Sequence, residues 1–218
     1  MLLTRTAAPA ADLITEAELK AHLRIDHAYD DATITALRSV VSEFLDGRNG
    51  YLQRALVTQT WAWRLPLFPV SRELHIPLPP LQSVVITYYD TDDVLQTYSA
   101  DNYYVITQDV TGYVKLKAGC SWPSIKERDD AVIVTFVAGY GAASAVPVAI
   151  KHAALLAAGR LYANRGDGEV LSSAAAIAET SLSSAEKSLL NPYRIAEFNH
   201  AHERYWLAPR TRAVYPPR

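Results

Sequence analysis

Gly139-x-Gly141-x-x-Ser144 lies between a β-branched run and an alanine-rich stretch, where a dinucleotide-binding turn would hold a pyrophosphate against a helix N-terminus. The third glycine of that fingerprint is here Ser144, and Pro147 delays the helix by several residues. Nothing after Asn164 resembles a second parallel strand ending in a ribose-binding acid, so the segment reads as a strand-to-helix corner. Ser184-x-x-Lys187 has the spacing of a serine hydrolase pair but lacks the companion motifs of that class. The single cysteine, Cys120, has no persuasive histidine partner and reads as an idle thiol. His200-x-His202 offers two metal donors without a third. Asp90-Thr91-Asp92-Asp93 lacks the downstream bidentate glutamate of a calcium loop and reads as a solvated hairpin tip. Asp30 and Asp31 suit the start of a helix, and Arg165-Gly166-Asp167 is ordinary loop composition. The expectation is no catalytic residue, no cofactor and no metal, with Gly139, Gly141 and Pro147 as a structural corner.

The elements that hold this corner are legible on both sides of it. Val132, Val134 and Phe136 alternate with Ile133, Thr135 and Val137, a pattern that predicts a strand covered on both faces. Pro147 sits where a helix would begin, since a first turn has no use for its missing N–H. From 148 to 162 only Lys151, His152 and Arg160 are strongly polar, while Ile150, Ala153, Ala154, Ala157 and Leu161 recur at helical spacing, which predicts a mostly buried helix.

Residues 1–12 are expected to be loose. Thr15 and Glu18 then have the spacing of a capping box that opens a short helix to Leu23. Ile34, Leu37, Val41, Phe44 and Leu45 define one face of a second helix, stopped by Gly47 and Asn49-Gly50. Beyond Gly50 the period becomes that of a strand, with Val57, Gln59, Trp61, Trp63 and Leu65 on one face. Prolines 66, 69, 77, 79 and 80 break the following chain into short extended pieces. Strands are expected at 84–89 and 94–98, and at 103–106 paired with 113–116, as an antiparallel meander closed by the strand at 131. After a serine- and alanine-rich link, a helix from about Ser183 or Ser184 should end near Asn191-Pro192.

The predicted fold class is α+β: a helical bundle (13–50 and 147–192), an antiparallel β insertion with its corner (51–146), and an extended C-terminal arm (193–218). A chain of 218 residues, half of them hydrophobic, is long enough for a real core, and a formal net charge of −2 argues against a protein that coats nucleic acid. One cysteine allows no internal disulfide, and the N-terminus lacks the long apolar core of a signal peptide. The chain therefore reads as soluble and intracellular, without a membrane span. The arm interleaves Phe198, Tyr205, Trp206 and Tyr215 with Arg204, Arg210 and Arg212, a composition that suits docking on a partner surface. Exposed aromatics in the β region (Trp61, Trp63, Tyr88, Tyr89, Tyr103 and Tyr104) leave a carbohydrate- or protein-binding β module as an alternative. An uncharacterised enzyme is a weaker one.

Several motifs point the same way. Leu13-Ile14-Thr15-Glu16 with Leu19-Lys20 and His22 to Asp26, Trp122-Pro123, Ala138-Gly139-Tyr140-Gly141 before Val146-Pro147, the Leu161-Tyr162-x-x-Arg165 ending of the long helix, and Leu189-Leu190 followed by Pro192-Tyr193-Arg194 are spread over residues 13 to 194. Together they resemble the head–tail connector (adaptor) proteins of tailed bacteriophages and gene transfer agents. The resemblance implies a structural virion protein, made in the bacterial host cytoplasm and placed in the neck between capsid and tail. It implies a cyclic ring, a dodecamer, under the portal protein, contacting the stopper or tail-terminator protein and touching DNA only as it passes through the channel. The docking residues on the portal or a neighbouring copy would be Phe198, Arg204, Tyr205, Trp206, Arg210, Arg212 and Tyr215.

Overall fold

A computed structural model describes residues 2–108, 111–164 and 182–195. The chain is α+β, and its sheets are antiparallel. The first element is β1 (Leu2–Ala7), in the stretch expected to be loose, and it pairs with β2 (Gln59–Leu65) from Leu2 opposite Arg64 to Ala7 opposite Thr60. Its side chains are mostly exposed, so the strand owes its existence to backbone pairing rather than to an apolar face of its own.

Two helices follow. In α1 (Glu16–Leu23) the Thr15 hydroxyl accepts from the Glu18 N–H at 3.1 Å and the Glu18 carboxylate accepts from the Thr15 N–H at 2.7 Å, the reciprocal box that the spacing predicts. The other oxygen of Glu18 accepts from Lys151 Nζ at 2.5 Å, so one side chain both caps α1 and ties it to the long helix. Its carboxyl is accordingly held below the usual range, chiefly by that lysine. In α2 (Asp31–Leu45) Ile34, Leu37, Val41 and Leu45 are buried. Asp30 stands at its N-cap and accepts from the Tyr162 hydroxyl at 2.5 Å, while Asp31 pairs with Lys20. Gly47, at φ +79°, turns the chain away just after the helix.

The β region departs from a single meander. The strands β1, β2, β8 (Val132–Ala138), β4 (Leu81–Tyr89) and β5 (Leu95–Tyr98) form one sheet in that order, with β8 central rather than closing an edge. A second sheet has the order β3 (Glu73–Ile76), β7 (Gly112–Leu116), β6 (Tyr103–Thr107), and its β3 comes from the proline-broken stretch. The hairpin of β6 and β7 has the expected register, Tyr103 opposite Leu116 and Ile106 opposite Tyr113. Along β8 only one face is fully covered: Val132, Val134, Phe136 and Ala138 are buried, whereas Ile133, Thr135 and Val137 are half-buried. The expected double coverage is therefore only partly present.

One hydrophobic core lies in the β region and gathers Trp61, Trp63, Phe136, Tyr98 and Tyr103. Phe68 stacks on the half-buried Trp122 there, with ring centroids 4.7 Å apart. The other core lies among the helices. It joins the apolar face of α2 to Ile150, Ala153, Ala154, Ala157, Ala158 and Leu161 of α3 (Val148–Ala163), and Leu190 of α4 (Ser184–Leu190) closes it. Alanines on α3 allow close approach, and at Gly159 an added Cβ would meet His22 of α1 at 3.4 Å. Ser183 caps α4 through a second box with Glu186, which is 2 % exposed and also pairs with Arg160 at 3.1 Å. A burial that complete requires both partners.

Candidate interaction surfaces

Gly139 and Gly141 form a corner by backbone contact. The Gly139 N–H donates to Pro80 O at 2.8 Å, the Tyr140 N–H to Leu56 O at 2.8 Å, and the Thr58 N–H to Gly141 O at 2.9 Å. Both glycines have positive φ, +126° and +127°. An added Cβ on Gly139 would lie 2.7 Å from the Val57 carbonyl carbon and 2.8 Å from Thr58 N, so the position needs glycine for space as well as for conformation. Pro147 stands one residue ahead of α3, where its carbonyl accepts from the Ile150 and Lys151 N–H groups. Tyr140 turns its hydroxyl to the guanidinium of Arg54, which is 1 % exposed. The peptide groups that a bound pyrophosphate would use at Tyr140 and Gly139 are thus bonded to the protein itself.

Beside the corner lies a charge that the sequence reading passed over. Asp46, just past α2, accepts from the Leu56 N–H at 2.7 Å and from Gln59 Nε2 at 2.9 and 2.8 Å, with Arg5 of β1 4.0 Å away. Burial pushes its carboxyl above the ordinary value, and these donors oppose that shift in part. Asp46 therefore joins the end of α2, the start of β2 and strand β1, three pieces that are distant in sequence. A cleft of about 260 Å³ opens next to it, lined by Arg5, Asp12, Ser39, Ser42 and Glu43 among others.

The remaining motifs stay apart. Ser184 is the first residue of α4 and Lys187 lies three residues on, but the box at this terminus is made by Ser183 and Glu186. Cys120 is half-buried, with Sγ 3.8 Å from Asn102 Oδ1. Among the described residues no group of three or more His, Cys, Asp or Glu could hold a metal ion, and no helix is long and apolar enough to cross a membrane. Trp61, Trp63 and Tyr103 are buried in the β core, which removes them from any sugar-stacking surface; Tyr104 is 57 % exposed. His200 and His202, the Arg-Gly-Asp tripeptide, the serine- and alanine-rich link, and Phe198, Arg204, Tyr205, Trp206, Arg210, Arg212 and Tyr215 fall outside the described residues.

The hairpin tip is an acidic end. Asp90 accepts from the Val94 N–H at 2.9 Å, from the Asp92 N–H at 3.0 Å and from Gln96 Nε2 at 2.8 Å, and these bonds hold its carboxyl low. Arg128, 3.6 Å above the Tyr89 ring, bonds Asp93 at 2.8 Å and Asp130 at 2.6 Å, joining the hairpin to the loop before β8. Glu127 and Asp129 of that loop are exposed.

Among the described residues two antiparallel sheets meet a helical core at the glycine corner, and the polar clusters at Asp46, Glu18, Glu186 and Arg128 join elements. Chains of this fold occur in gene transfer agent (GTA) particles. The chain is similar to one in the neck of an empty GTA particle computed with C6 symmetry, at 22 % identity and TM-score 0.68, covering 89 % of this chain and 95 % of the other. A chain from the virion of the native GTA particle gives 23 % identity and TM-score 0.68 over the same shares. One from the neck of the native particle computed with C12 symmetry gives 19 % and 0.60. No protein-family model matches the sequence. No curated protein matches it either. At these identities the likeness is one of fold, and it spans nearly the whole chain.

Proposed function

We propose that this protein is a structural component of the neck of a tailed phage or gene transfer agent, a head–tail adaptor that joins the DNA-filled capsid to the tail. The observation that carries the reading is the near-complete mutual coverage with a GTA neck chain, 89 % of one and 95 % of the other. In this reading the helices form the bundle that carries the β insertion, and copies assemble head to tail into a closed ring, each using two different surfaces. The ring sits under the portal protein, takes the stopper or tail terminator on its far side, and continues the DNA channel. A net charge of −2 suits a chain that lets DNA pass without holding it. The protein works by assembly and not by catalysis.

The C-terminal arm supplies the docking residues, with Trp206 as its main anchor. Ile195, the last described residue, is buried and its N–H donates to Leu52 O at 3.1 Å, which anchors the start of the arm on the helical core. Truncation after Ile195 should shift Tm by no more than about 2 °C. The truncated protein should nevertheless fail to join DNA-filled heads in a complementation assay. Normal attachment by a folded truncated chain would move docking to the helices or the β region.

A further inference from the structure

Among the described residues, the four edge strands of the two sheets differ in charge. On β1 the exposed edge carries Arg5, with Arg64 across from Leu2. The β6 edge has Lys117 5.0 Å over Tyr104, and β3 has Glu73 already paired with Lys115 at 2.8 Å. β5 alone lies in an acidic setting. Residues 90–101 contain four aspartates and no lysine or arginine, and among the described residues only Asp93 of these has an arginine partner, Arg128. The edge is also apolar at its start, where Val94 and Leu95 are each 52 % exposed. Gln96 and Thr97 are exposed too, and among the described residues β5 pairs with β4 alone. An edge of this kind accepts an extended strand that is basic and partly apolar.

The C-terminal sequence has that composition. Residues 204–218 hold four arginines and no acidic residue, a charge equal and opposite to that of residues 90–101. Between Pro209 and Pro216 the sequence Arg210-Thr-Arg-Ala-Val-Tyr215 is proline-free, alternates Arg210, Arg212 and Val214 with Thr211, Ala213 and Tyr215, and is rich in strand-forming types. Fourteen residues separate the buried Ile195 from Arg210, a reach of up to about 50 Å when extended. The acidic hairpin lies beyond the Val132 end of β8, whereas the corner to the helices is at its Ala138 end, about 20 Å away along a seven-residue strand. Ile195, the last described residue, is bonded to Leu52 O on the helical side, and a reach of that order exceeds the strand length between the two ends of the sheet.

We infer that residues 210–215 of one copy add as a strand to the β5 edge of a neighbouring copy, with Arg210 and Arg212 facing the aspartates of the 90–93 turn. This rests on the ring proposed above and names the surface that the arm takes. It makes the contact heterologous, arm on one side and β5 on the other, as ring closure requires.

The test places the photo-crosslinker p-benzoylphenylalanine at Thr97 of the full chain, in particles grown with a mixture of isotopically labelled and unlabelled copies. Expected are adducts between Thr97 and peptides within 205–218 of a differently labelled copy. Asp92→Lys, at an exposed carboxylate, should cut their yield roughly fivefold through like-charge repulsion. Adducts only to the arm of the same copy, adducts only to another protein, no adduct in particles that contain the chain, or a yield unaffected by Asp92→Lys would each overturn the inference while leaving the neck assignment standing. Particles that lack the chain would overturn both.

Discussion

Gly139→Val is expected to remove a large part of the stability of the protein. The substituted Cβ would lie 2.7–2.8 Å from the backbone of Val57 and Thr58, and backbone cannot move aside as a flexible side chain can. The side chain would also have to adopt φ near +126°, a region that L residues rarely occupy. Strain and collision together should amount to about 3–5 kcal/mol, against a total of 5–15 kcal/mol for a typical domain, roughly. Gly141→Ala separates the two contributions. Its Cβ would find only Ala145 Cβ at 3.4 Å, so backbone strain dominates there and the loss should be about 1–3 kcal/mol. Urea denaturation of both variants checks the order. Equal losses, or a Gly139→Val protein as stable as wild type, would contradict the close backbone packing of the corner.

The second large effect is expected at Asp46. Asp46→Ala strips the Leu56 N–H and the amide of Gln59, itself 2 % exposed, of their acceptor, and should destabilise by about 2–4 kcal/mol. Asp46→Asn keeps an acceptor for Leu56 and removes the charge, so it should cost less. Its pH dependence has a definite sign. Burial raises the carboxyl above its ordinary 3.8, so the folded state holds the proton more tightly than the unfolded state does. The associated stabilisation is complete below the unfolded pKa and is lost as pH rises through the folded one. Wild type should therefore lose stability relative to Asp46→Asn as pH rises above the ordinary carboxylate pKa of about 4. Comparing the pair isolates this residue from Glu18, Asp90 and Asp130, whose lowered pKa values act in the opposite direction. A difference between the two proteins that is independent of pH, or grows in favour of wild type as pH rises, would contradict the burial of this charge.

What the sequence revealed follows from the range of the forces involved. The box of Thr15 and Glu18, the buried faces of α2 and α3 and the hairpin of β6 and β7 rest on residues a few positions apart, and each was legible. The corner was legible because two glycines next to a β-branched run leave few alternatives. Strand order was not: β8 lies between β2 and β4 through pairings with residues 44 to 79 positions earlier in the chain, and no local pattern reports such neighbours. β1 escaped notice because an exposed edge strand needs no apolar alternation. β3 was hidden among prolines, and Asp46 looked like an ordinary residue at a helix end until folding brought Leu56 and Gln59 onto it. Of the candidate site, Gly139, Gly141 and Pro147 lie among the described residues, where the two glycines have positive φ and the proline precedes α3. The aromatic and basic arm was legible as composition alone.

The central claim, a ring-forming adaptor in the neck, is tested most directly by a symmetry-averaged cryo-electron-microscopy reconstruction of the particle that carries this protein, at a resolution that traces side chains. The account predicts a closed ring of copies of this chain between portal and tail, with the channel on its axis and each copy contacting the next through two different surfaces. Density for the chain on the capsid exterior, at the distal end of the tail, or nowhere in a complete particle would contradict it.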